Sequence, residues 1–387
     1  MPENSPKAEK FDYCIVGAGV VGSSAAYLLS RLKKSVALLE QFEFGHEKGS
    51  SHGESRITRY AYDHPIYVRM AKRAFPLWAE IIEASGENLY LKTGGIDLDQ
   101  VHGKGIADCR AALDTEKVPY EILDRNELKN RFPQFNIPQN YEGLYQDDAG
   151  ILNASLCVRT LQSLAKKHGA SMESNSPVVR IEAEGKYLTV TTPTKNILAR
   201  KLILCAGSWM GPLLSGWGVR IPLTVTQEQW AFFASGKRDD FLPGKLPIFI
   251  EHGGVGSGGI GFYGFPIFGQ DGVKSAFHQT GKVTTAESRD FEVDKVQLDA
   301  LHKQMKLLLP DAAGEVIHTG TCLYTNSTDT HFIIDQIPRH DNIAFFTGCS
   351  GHAFKFGPVI AELMIQLLEK KETEIPLDFF SRKVRVR

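Results

Sequence analysis

The chain has 387 residues, of which 42% are hydrophobic and 23% are charged, and its formal net charge is -1. This length allows two domains or one large discontinuous domain, and the composition is ordinary for a soluble globular protein. The charge balance gives no drive towards nucleic acid or an anionic membrane, so neither is expected as a partner. Six cysteines without a CxxC pair argue against a disulfide framework and a zinc site, so no metal is expected.

The termini and the first apolar run give expectations about location. The N-terminal stretch "MPENSPKAEK" is polar, unlike a signal peptide, and glycine and serine break the apolar run 13–29, unlike a membrane span. A cytoplasmic protein is therefore expected. A peroxisomal location is the alternative, although the ending "VRVR" does not match the small-basic-leucine tripeptide of peroxisomal proteins.

The first predicted elements lie in "FDYCIVGAGVVGSSAAYLLSRLKKSVALLEQ". Residues 13–16 predict a short apolar strand, which a glycine turn follows. Residues 23–34 are compatible with a helix, and residues 35–39 predict a second strand. A strand, turn, helix and strand in this order are typical of the start of a nucleotide-binding fold.

The glycine turn has the residues that a dinucleotide pyrophosphate requires. Gly17, Gly19 and Gly22 form a GxGxxG pattern, and Glu40 follows the second strand. The first glycine allows the tight turn, the second lets the backbone approach the pyrophosphate, and the third lets the helix pack on the strand. The helix N-terminus would then face the anion, and Glu40 would accept hydrogen bonds from ribose hydroxyls.

A second GxGxxG match occurs in "HGGVGSGGIG", at Gly254, Gly256 and Gly259. No helical pattern follows it, only the aromatic and glycine-rich "FYGFPIFG". We interpret it as a loop between strands, so a single dinucleotide fold is predicted.

Two later segments are predicted to complete the same fold. Residues 201–209 are typical of a buried strand that ends in a glycine turn. Residues 342–369 predict a strand, a loop from Gly348 to Gly357 and a helix that begins at Pro358. The helix has apolar residues at i, i+3, i+4, i+7 and i+8, which indicates a core-facing stripe. These residues are Ile360, Leu363, Met364, Leu367 and Leu368.

Residues 221–318 are rich in β-branched residues, aromatic residues and glycine, and are predicted to be mostly strand. The predicted fold class is α/β (α+β), with a Rossmann-like nucleotide-binding domain and an inserted, mostly antiparallel β-sheet domain for the substrate. The first domain is assigned residues 8–88, 150–220 and 320–387, and the inserted domain residues 89–149 and 221–319.

The segment "GSSHGESRITRYAY" follows the second strand and contains Arg56 and Arg59. The two arginines would share a face if this segment were helical. Two guanidinium groups suit a carboxylate or a phosphate. The alternative from the local pattern is a solvated basic turn.

Five motifs in order give a more specific resemblance. The chain contains "GAGVVG…LLE", "GSSHGESRITR", "YGFP…GVKSAFH", "CLYTNSTDTHFIID" and "GCSGHAFKFGP". In this order they resemble the monomeric sarcosine oxidase family, which includes N-methyltryptophan oxidase and the peroxisomal sarcosine and pipecolate oxidases. The resemblance extends from about residue 11 to residue 368, nearly the whole chain.

The resemblance implies FAD, attached through a thioether from the flavin 8-methyl group to Cys322. From the residues alone, a buried structural cysteine is the alternative, although the polar neighbours of Cys322 suit a reactive thiol. The resemblance also implies a set of residues that contact the cofactor. They are Gly17, Gly19, Gly22, Glu40, His52, Ser55, Arg56, Gly348, Gly351 and Lys355.

The resemblance further implies the substrate site. Arg59 and Lys355 match the pair that holds the substrate carboxylate, where charge-assisted hydrogen bonds are strong. Lys274 matches a lysine beside the flavin that would stabilise superoxide during oxygen reduction. His278, Tyr263 and Tyr324 match residues that line the substrate position, and Arg56 would offset negative charge on reduced flavin.

We therefore expect a monomeric FAD-dependent oxidase that converts a small secondary amino acid into an imine and reduces O2 to H2O2. Sarcosine is the first candidate, and L-pipecolate, L-proline or another N-methyl amino acid is the alternative. A second alternative is an FAD-dependent amine dehydrogenase that passes electrons to a quinone or flavoprotein. A flavin-binding protein without turnover is the alternative from a different class, and the candidate substrate residues argue against it.

Overall fold

The computed structural model describes residues 9–253 and 261–384. The second GxGxxG match, at Gly254, Gly256 and Gly259, lies outside the described residues.

The described strands are β1 (Glu9–Val16), β2 (Val36–Leu39), β3 (Arg56–Thr58), β4 (Tyr90–Lys92), β5 (Gly95–Gln100), β6 (Glu121–Leu123), β7 (Tyr141–Gln146), β8 (Gly150–Leu152), β9 (Ser171–Glu173), β10 (Arg180–Glu184), β11 (Tyr187–Thr191), β12 (Asn196–Leu204), β13 (Leu223–Phe233), β14 (Ile248–Glu251), β15 (Phe262–Phe265), β16 (Val273–Phe277), β17 (Lys282–Thr284), β18 (Val316–Ser327), β19 (Ile333–Ile337) and β20 (His340–Thr347). The described α-helices are α1 (Val20–Arg31), α2 (Pro65–Ser85), α3 (Lys104–Glu116), α4 (Arg125–Arg131), α5 (Ala154–Lys167), α6 (Met210–Ser215), α7 (Lys295–Leu308) and α8 (Gly357–Glu369).

The first sheet forms the predicted nucleotide-binding fold. Its order is β10-β11-β12-β1-β2-β9, with β20 beside β12 and β19 beside β20. β1 runs parallel to β2 and β12, and β12 runs parallel to β20. α1 begins at the glycine turn after β1 and packs against α5 and α8. The predicted Rossmann-like arrangement is confirmed, and α1 begins three residues earlier than predicted.

Alternate side chains of β1 enter different cores, as the two-residue period of a strand requires. Tyr13 and Ile15 pack with residues of α1, α2, α5 and α8. Cys14 and Val16 pack on the other face with residues of β11, β12 and α6. The strand is therefore buried on both faces, which explains its continuous apolar sequence.

The C-terminal helix agrees with its prediction. α8 spans Gly357–Glu369 and has Pro358 in its first turn. The five residues of the predicted stripe face the core, four of them fully buried and Leu367 partly buried. The loop between β20 and α8 is thereby held against the first sheet.

The second sheet is mostly antiparallel, as predicted. Its order is β17-β13-β16-β15-β14-β5-β7-β6, and β18 pairs with the other edge of β13. Among the pairings that the structure describes in this sheet, only β5 with β14 is parallel. Both 89–149 and 221–319 therefore supply strands to one sheet.

One helix in this region was not predicted. Residues 221–318 were expected to be mostly strand, but α7 spans Lys295–Leu308. Its cap Asp294 accepts hydrogen bonds from the backbone of Val296 and Gln297. Buried Leu301, Met305 and Leu308 have helical spacing and pack under the sheet. The cap and the helical spacing are local signals, but the composition of the surrounding segment favours strands, and the helix was therefore not predicted.

A third, small sheet has the order β3-β8-β4. β3 contains Arg56 and pairs with β8, so the helical option for this segment is wrong. The β-branched Ile57 and Thr58 favour a strand, and Ile57 pairs with Ile151 in the sheet.

The two larger sheets are continuous along the chain through β18, which leads to β19 and β20 of the first sheet. Cys322 and Tyr324 lie on β18, opposite Glu228 and Thr226 of β13. Within 9–253 and 261–384, no helix is both long enough and apolar enough to cross a membrane.

Candidate active site

A cavity of about 1160 Å³ is lined by residues from both larger sheets. This volume exceeds that of an ordinary small-ligand pocket, which is about 300 to 1,000 Å³. Every residue predicted for the site lines the cavity except Gly22 and Gly348. The predicted residues that line it are Gly17, Gly19, Glu40, His52, Ser55, Arg56, Arg59, Tyr263, Lys274, His278, Cys322, Tyr324, Gly351 and Lys355.

One end of the cavity is the glycine turn between β1 and α1. Gly17 has φ +100°, and a Cβ there would lie 2.5 Å from the carbonyl oxygen of Cys205. A Cβ on Gly22 would lie 1.8 Å from the carbonyl oxygen of Gly17. Gly22 therefore brings α1 close to the turn without reaching the cavity itself. Gly19 has no side chain to cap α1, and the Ser51 hydroxyl accepts from the Val20 backbone N–H at 3.1 Å.

Glu40, which directly follows β2, is hydrogen-bonded to the backbone of the same turn. Its Oε2 accepts from the backbone N–H of Ala18 at 2.9 Å, and its Oε1 accepts from that of Phe42 at 3.1 Å. Burial opposes ionisation, but hydrogen bonds from His46 and from the backbone outweigh it and lower the pKa of Glu40. A carboxylate has about four lone-pair sites. Glu40 can therefore still accept from a ribose hydroxyl.

Arg56 is oriented by three backbone carbonyls. It donates to Ser55 O at 2.7 Å, His52 O at 2.8 Å and Ser50 O at 2.9 Å. These bonds hold the loop between β2 and β3 and place a positive charge beside the cavity. Burial, followed by the Arg56 charge, lowers the pKa of His52 to about 3, so this imidazole is neutral.

Lys274 lies in an apolar part of the cavity. Its Nζ is 5.1 Å from the Trp230 ring centroid and 5.4 Å from that of Phe265, and it donates to Ser55 Oγ at 3.2 Å. Burial, and then the Arg56 charge, lowers the pKa of Lys274 to about 7. In the described part of the chain, no carboxylate lies within ion-pair distance of Lys274. Aromatic faces stabilise its cation without neutralising it.

Cys322 lies on β18 with its side chain at the cavity. Burial and the neighbouring Glu228 raise the pKa of the thiol, while the cations Arg56, Lys274 and Arg289 lower it. Burial is the largest of these effects, so the pKa stays above its usual value and the thiol is protonated in the chain alone.

Arg59, which was predicted to bind a carboxylate, is partly buried and forms an ion pair with the buried Asp97 of β5. His252 shares the same carboxylate oxygen at 2.7 Å. Burial opposes ionisation of Asp97, but Arg59 and His252 outweigh it and lower the pKa. Sequence reasoning missed Asp97 and His252 because they are 38 and 193 positions away from Arg59, with no shared motif.

Lys355, the second predicted carboxylate ligand, is also buried. Its Nζ donates to the Tyr62 hydroxyl at 2.7 Å, and it lies 5.2 Å from the Tyr62 ring centroid. The Arg59 guanidinium is 5.3 Å from the same centroid. Burial first, and the Arg59 charge second, lower the pKa of Lys355 well below its usual value. Two basic groups thus converge on Tyr62, which sequence reasoning did not identify.

His278, Tyr263 and Tyr324 lie together at this end. All three residues line the cavity, and the His278 and Tyr324 ring centroids are 5.7 Å apart. Burial, and then the Lys355 and Arg59 charges, lower the pKa of His278 to about 4. These groups are therefore neutral and present hydrogen-bonding atoms in a desolvated space.

The loop before α8 approaches Tyr324. Gly351 has φ +81°, and a Cβ there would lie 2.0 Å from Tyr324 Cε2. Gly348 has φ +69° and faces Ser327 and His331, away from the cavity. Gly351 thus shapes the cavity directly, and Gly348 shapes the turn that leads to it.

One group of side chains has the composition of a metal site. Asp97, Cys109 and His252 have potential ligand atoms within 4.8 Å of one another. Asp97 already accepts from the Arg59 guanidinium, which would repel a divalent cation. We therefore assign no metal to this group.

The cavity fits the FAD that the resemblance implies. Gly17, Ala18 and Gly19 of the glycine turn line the cavity, so a pyrophosphate could lie against the backbone there. Further along, His52 Nε2 is buried and has no hydrogen-bond partner among the described residues. A buried polar atom without a partner is costly unless a ligand satisfies it. Cys322 and Lys274 line the same cavity.

Comparisons with known proteins agree with this geometry. A family model described as DAO: FAD dependent oxidoreductase matches residues 12–367. A monomeric sarcosine oxidase from Bacillus sp. (strain NS-129) is 31% identical over 375 residues, covering 96% of each chain. An N-methyl-L-tryptophan oxidase from Escherichia coli is 30% identical over 375 residues, covering 96% of this chain and 98% of the other. The crystal structure of L-proline dehydrogenase from P. horikoshii has a TM-score of 0.84 at 20% identity, covering 98% of this chain and 99% of that one, a likeness that concerns the fold.

Proposed function

The chain belongs to the DAO family of FAD-dependent oxidoreductases, and we propose that it oxidises a small secondary amino acid, first of all sarcosine, with O2 as the acceptor. The observation that supports this proposal best is the pairing of two basic side chains in the cavity, Arg59 and Lys355, which both lie within about 5.3 Å of the Tyr62 ring centroid. A small amino acid brings the carboxylate that this pair would bind.

The turn at Gly17 and Gly19, with Glu40, would hold the nucleotide part of FAD, and His52, Ser55 and Arg56 would contact its ring. When bound, FAD supplies the redox chemistry, because it accepts a hydride equivalent from the carbon next to the substrate nitrogen. The chain supplies orientation, electrostatics and exclusion of water.

Arg59 and Lys355 would bind the substrate carboxylate. Asp97 compensates part of the Arg59 charge, and burial favours neutral Lys355 in the absence of an anion. A carboxylate beside Lys355 would favour its protonated form, because an opposite charge raises the pKa of an amine. Substrate binding would therefore be coupled to the uptake of a proton by Lys355.

The amine would bind in its neutral form, which can release a hydride equivalent. The groups around it, His278, Tyr263 and Tyr324, are uncharged and desolvated. A neutral hydrogen-bonding environment disfavours the ammonium form. The resulting imine would be hydrolysed by water, which gives glycine and formaldehyde from sarcosine.

Lys274 would act in the reaction with O2. A cation that no carboxylate neutralises would stabilise the negative charge that develops on O2 as it is reduced. This argument favours an oxidase over a dehydrogenase that uses a quinone or flavoprotein.

Cys322 would be the site of covalent FAD attachment. It lines the cavity on β18, close to three cations that favour its thiolate. Acid precipitation of the protein separates attached from dissociable flavin. We expect wild-type protein to retain flavin in the pellet and Cys322→Ser to release it. Retention by Cys322→Ser would contradict attachment at this residue.

The proposed activity is tested by the stoichiometry of aerobic turnover. We expect one O2 consumed, one H2O2 formed and one formaldehyde formed for each sarcosine oxidised. Reduction of an artificial dye without peroxide would favour the dehydrogenase alternative. If the protein oxidised L-pipecolate, L-proline or another N-methyl amino acid but not sarcosine, the proposed type of reaction would stand and the proposed substrate would be wrong.

A further inference from the structure

The remaining cation beside Cys322 has no role in the proposed reaction. Arg289 lies between β17 and α7, and its side chain is buried. Its Nη2 donates to Thr321 O at 2.7 Å and to Thr321 Oγ1 at 2.9 Å, and its Nη1 donates to Lys48 O at 3.1 Å. Arg289 therefore joins the loop after β2 to the residue that directly precedes Cys322.

The charge of Arg289 is not neutralised by an ion pair. Within the part of the chain that the structure describes, no carboxylate lies within ion-pair distance of it. The adjacent Asp290 is bonded to Lys282 at 2.5 Å and to Gln227 at 2.9 Å. Arg289 Nε is also buried without a hydrogen-bond partner among the described residues. A buried, uncompensated cation is costly unless an anion forms nearby.

The group that can become that anion is Cys322. The Arg289 charge favours the Cys322 thiolate, and the thiolate in turn favours the Arg289 cation. Arg56 and Lys274 act in the same direction, but both also face the predicted flavin and substrate positions. Of these three cations, Arg289 is the one with a described hydrogen bond to the backbone of the residue before Cys322.

We propose that Arg289 is a positioning residue for covalent attachment of FAD, holding the Cys322 segment of β18 in place and stabilising the thiolate that forms the bond. This inference rests on the proposed attachment at Cys322. Attachment breaks the Cys322 S–H bond and one C–H bond of the flavin 8-methyl group and forms an S–C bond. The two electrons and two protons released reduce O2 to H2O2.

The test measures attachment directly, without turnover. Full-length, flavin-free protein is mixed with FAD in air, and acid-stable flavin is followed with time between pH 6.5 and 9.5. We expect Arg289→Met to attach FAD at least about tenfold more slowly near neutral pH, since it loses both the charge that favours the Cys322 thiolate and the hydrogen bonds to Thr321. The difference in attachment rate between wild type and Arg289→Met should become smaller as pH rises, because the Cys322 thiol then ionises without the Arg289 charge. Arg289→Lys should attach FAD faster than Arg289→Met.

The matched control is Arg238→Met, an exposed arginine of the same sheet domain that pairs with Asp271. It should attach FAD at the wild-type rate. If Arg289→Met does not fold, Arg289→Lys decides the test, because it keeps the charge but loses the paired hydrogen bonds. Arg289→Met at the wild-type rate or equally slow at every pH, or Arg289→Lys at the wild-type rate, would overturn the proposed role. Wild-type protein that never retains flavin would instead overturn the attachment at Cys322, and this inference with it.

Discussion

Lys274 shows how burial changes the pKa of one side chain in the cavity. Its cation is surrounded by Trp230, Phe232 and Phe265, and burial is the main cause of its lowered pKa of about 7. The motif that contains Lys274 was recognisable in the sequence. The aromatic cage was not, because its three rings come from β13 and β15 and meet only in the folded sheet.

The lowered pKa of Lys274 predicts a pH-dependent stability. The folded flavin-free chain releases this proton near pH 7, whereas an unfolded lysine keeps it until about pH 10.4. Between these values the unfolded state binds more protons, so stability rises with pH. From pH 6 to pH 9, wild type should gain about 2 to 3 kcal/mol over Lys274→Met in the free energy of unfolding, measured with urea. If the difference in the free energy of unfolding between wild type and Lys274→Met were the same at pH 6 and pH 9, the lowered pKa of Lys274 would be wrong.

Lys355 gives a second prediction for a single residue. Lys355→Met should raise KM for sarcosine by about 10- to 100-fold, because a hydrogen bond to a charged group contributes about 1.5 to 3 kcal/mol. The effect on kcat should be smaller, since the carboxylate is bound in both the ground state and the transition state. Steady-state kinetics measures both values. Lys303→Met, at an exposed position of α7, is the control. An unchanged KM would exclude Lys355 from carboxylate binding.

At the scale of elements, glycines set the distances between segments at both ends of the cavity. Gly22 brings α1 onto the turn after β1, and Gly351 brings the loop before α8 onto Tyr324 of β18. A Cβ at Gly22 would collide with the Gly17 carbonyl, and a Cβ at Gly351 would collide with the Tyr324 ring, in addition to the strain of the positive φ at Gly351.

Gly351→Ala is therefore predicted to disturb Tyr324. The new Cβ would lie 2.0 Å from the Tyr324 ring, and the φ of +81° is unfavourable for alanine by about 1 kcal/mol or more. We expect a lower melting temperature and at least about a tenfold loss of kcat/KM for sarcosine, because small misplacements at a reacting centre have large kinetic effects. Gly211→Ala, where a Cβ meets nothing within 4 Å, is the control. Wild-type kcat/KM in Gly351→Ala would show that the contact does not matter.

The sequence predicted those elements whose signals are local. The strand, turn and helix around Gly17 and the helix that begins near Pro358 follow from glycine spacing and from 3.6-residue periodicity. α7 was missed although Asp294 and its apolar stripe are local signals, because the composition around it favoured strands. The segment at Arg56 is a strand because β8 pairs with it, and that pairing partner is distant in sequence.

At the scale of the molecule, the cavity exists because β18 passes from the second sheet towards the first. Strands from 89–149 and 221–319 form one sheet, and the glycine turn belongs to the other. We propose that these segments form the substrate domain, and that 8–88, 150–220 and 320–387 form the FAD-binding domain. The site would then require both domains.

The partners of the predicted site residues could not be found from the sequence for the same reason. Arg59 forms its ion pair with Asp97 of β5, and the parallel pairing of β5 with β14 places His252 beside the same carboxylate. Glu228 meets Cys322 because of the register between β13 and β18. Motifs identified one member of each pair, and the sheet register determines the other.

The most direct test of the proposed function is anaerobic reduction of the flavin, followed by its absorbance. Sarcosine should bleach the flavin, and sarcosine N-methylamide, which lacks the carboxylate, should reduce it at least about 100-fold less efficiently, since two charged contacts of about 1.5 to 3 kcal/mol each are lost. L-Pipecolate, L-proline and N-methyl-L-tryptophan measure how far the cavity accepts larger substrates. A flavin that dithionite reduces but none of these amino acids does, or equal reduction by the amide, would contradict a carboxylate-anchored amine oxidase.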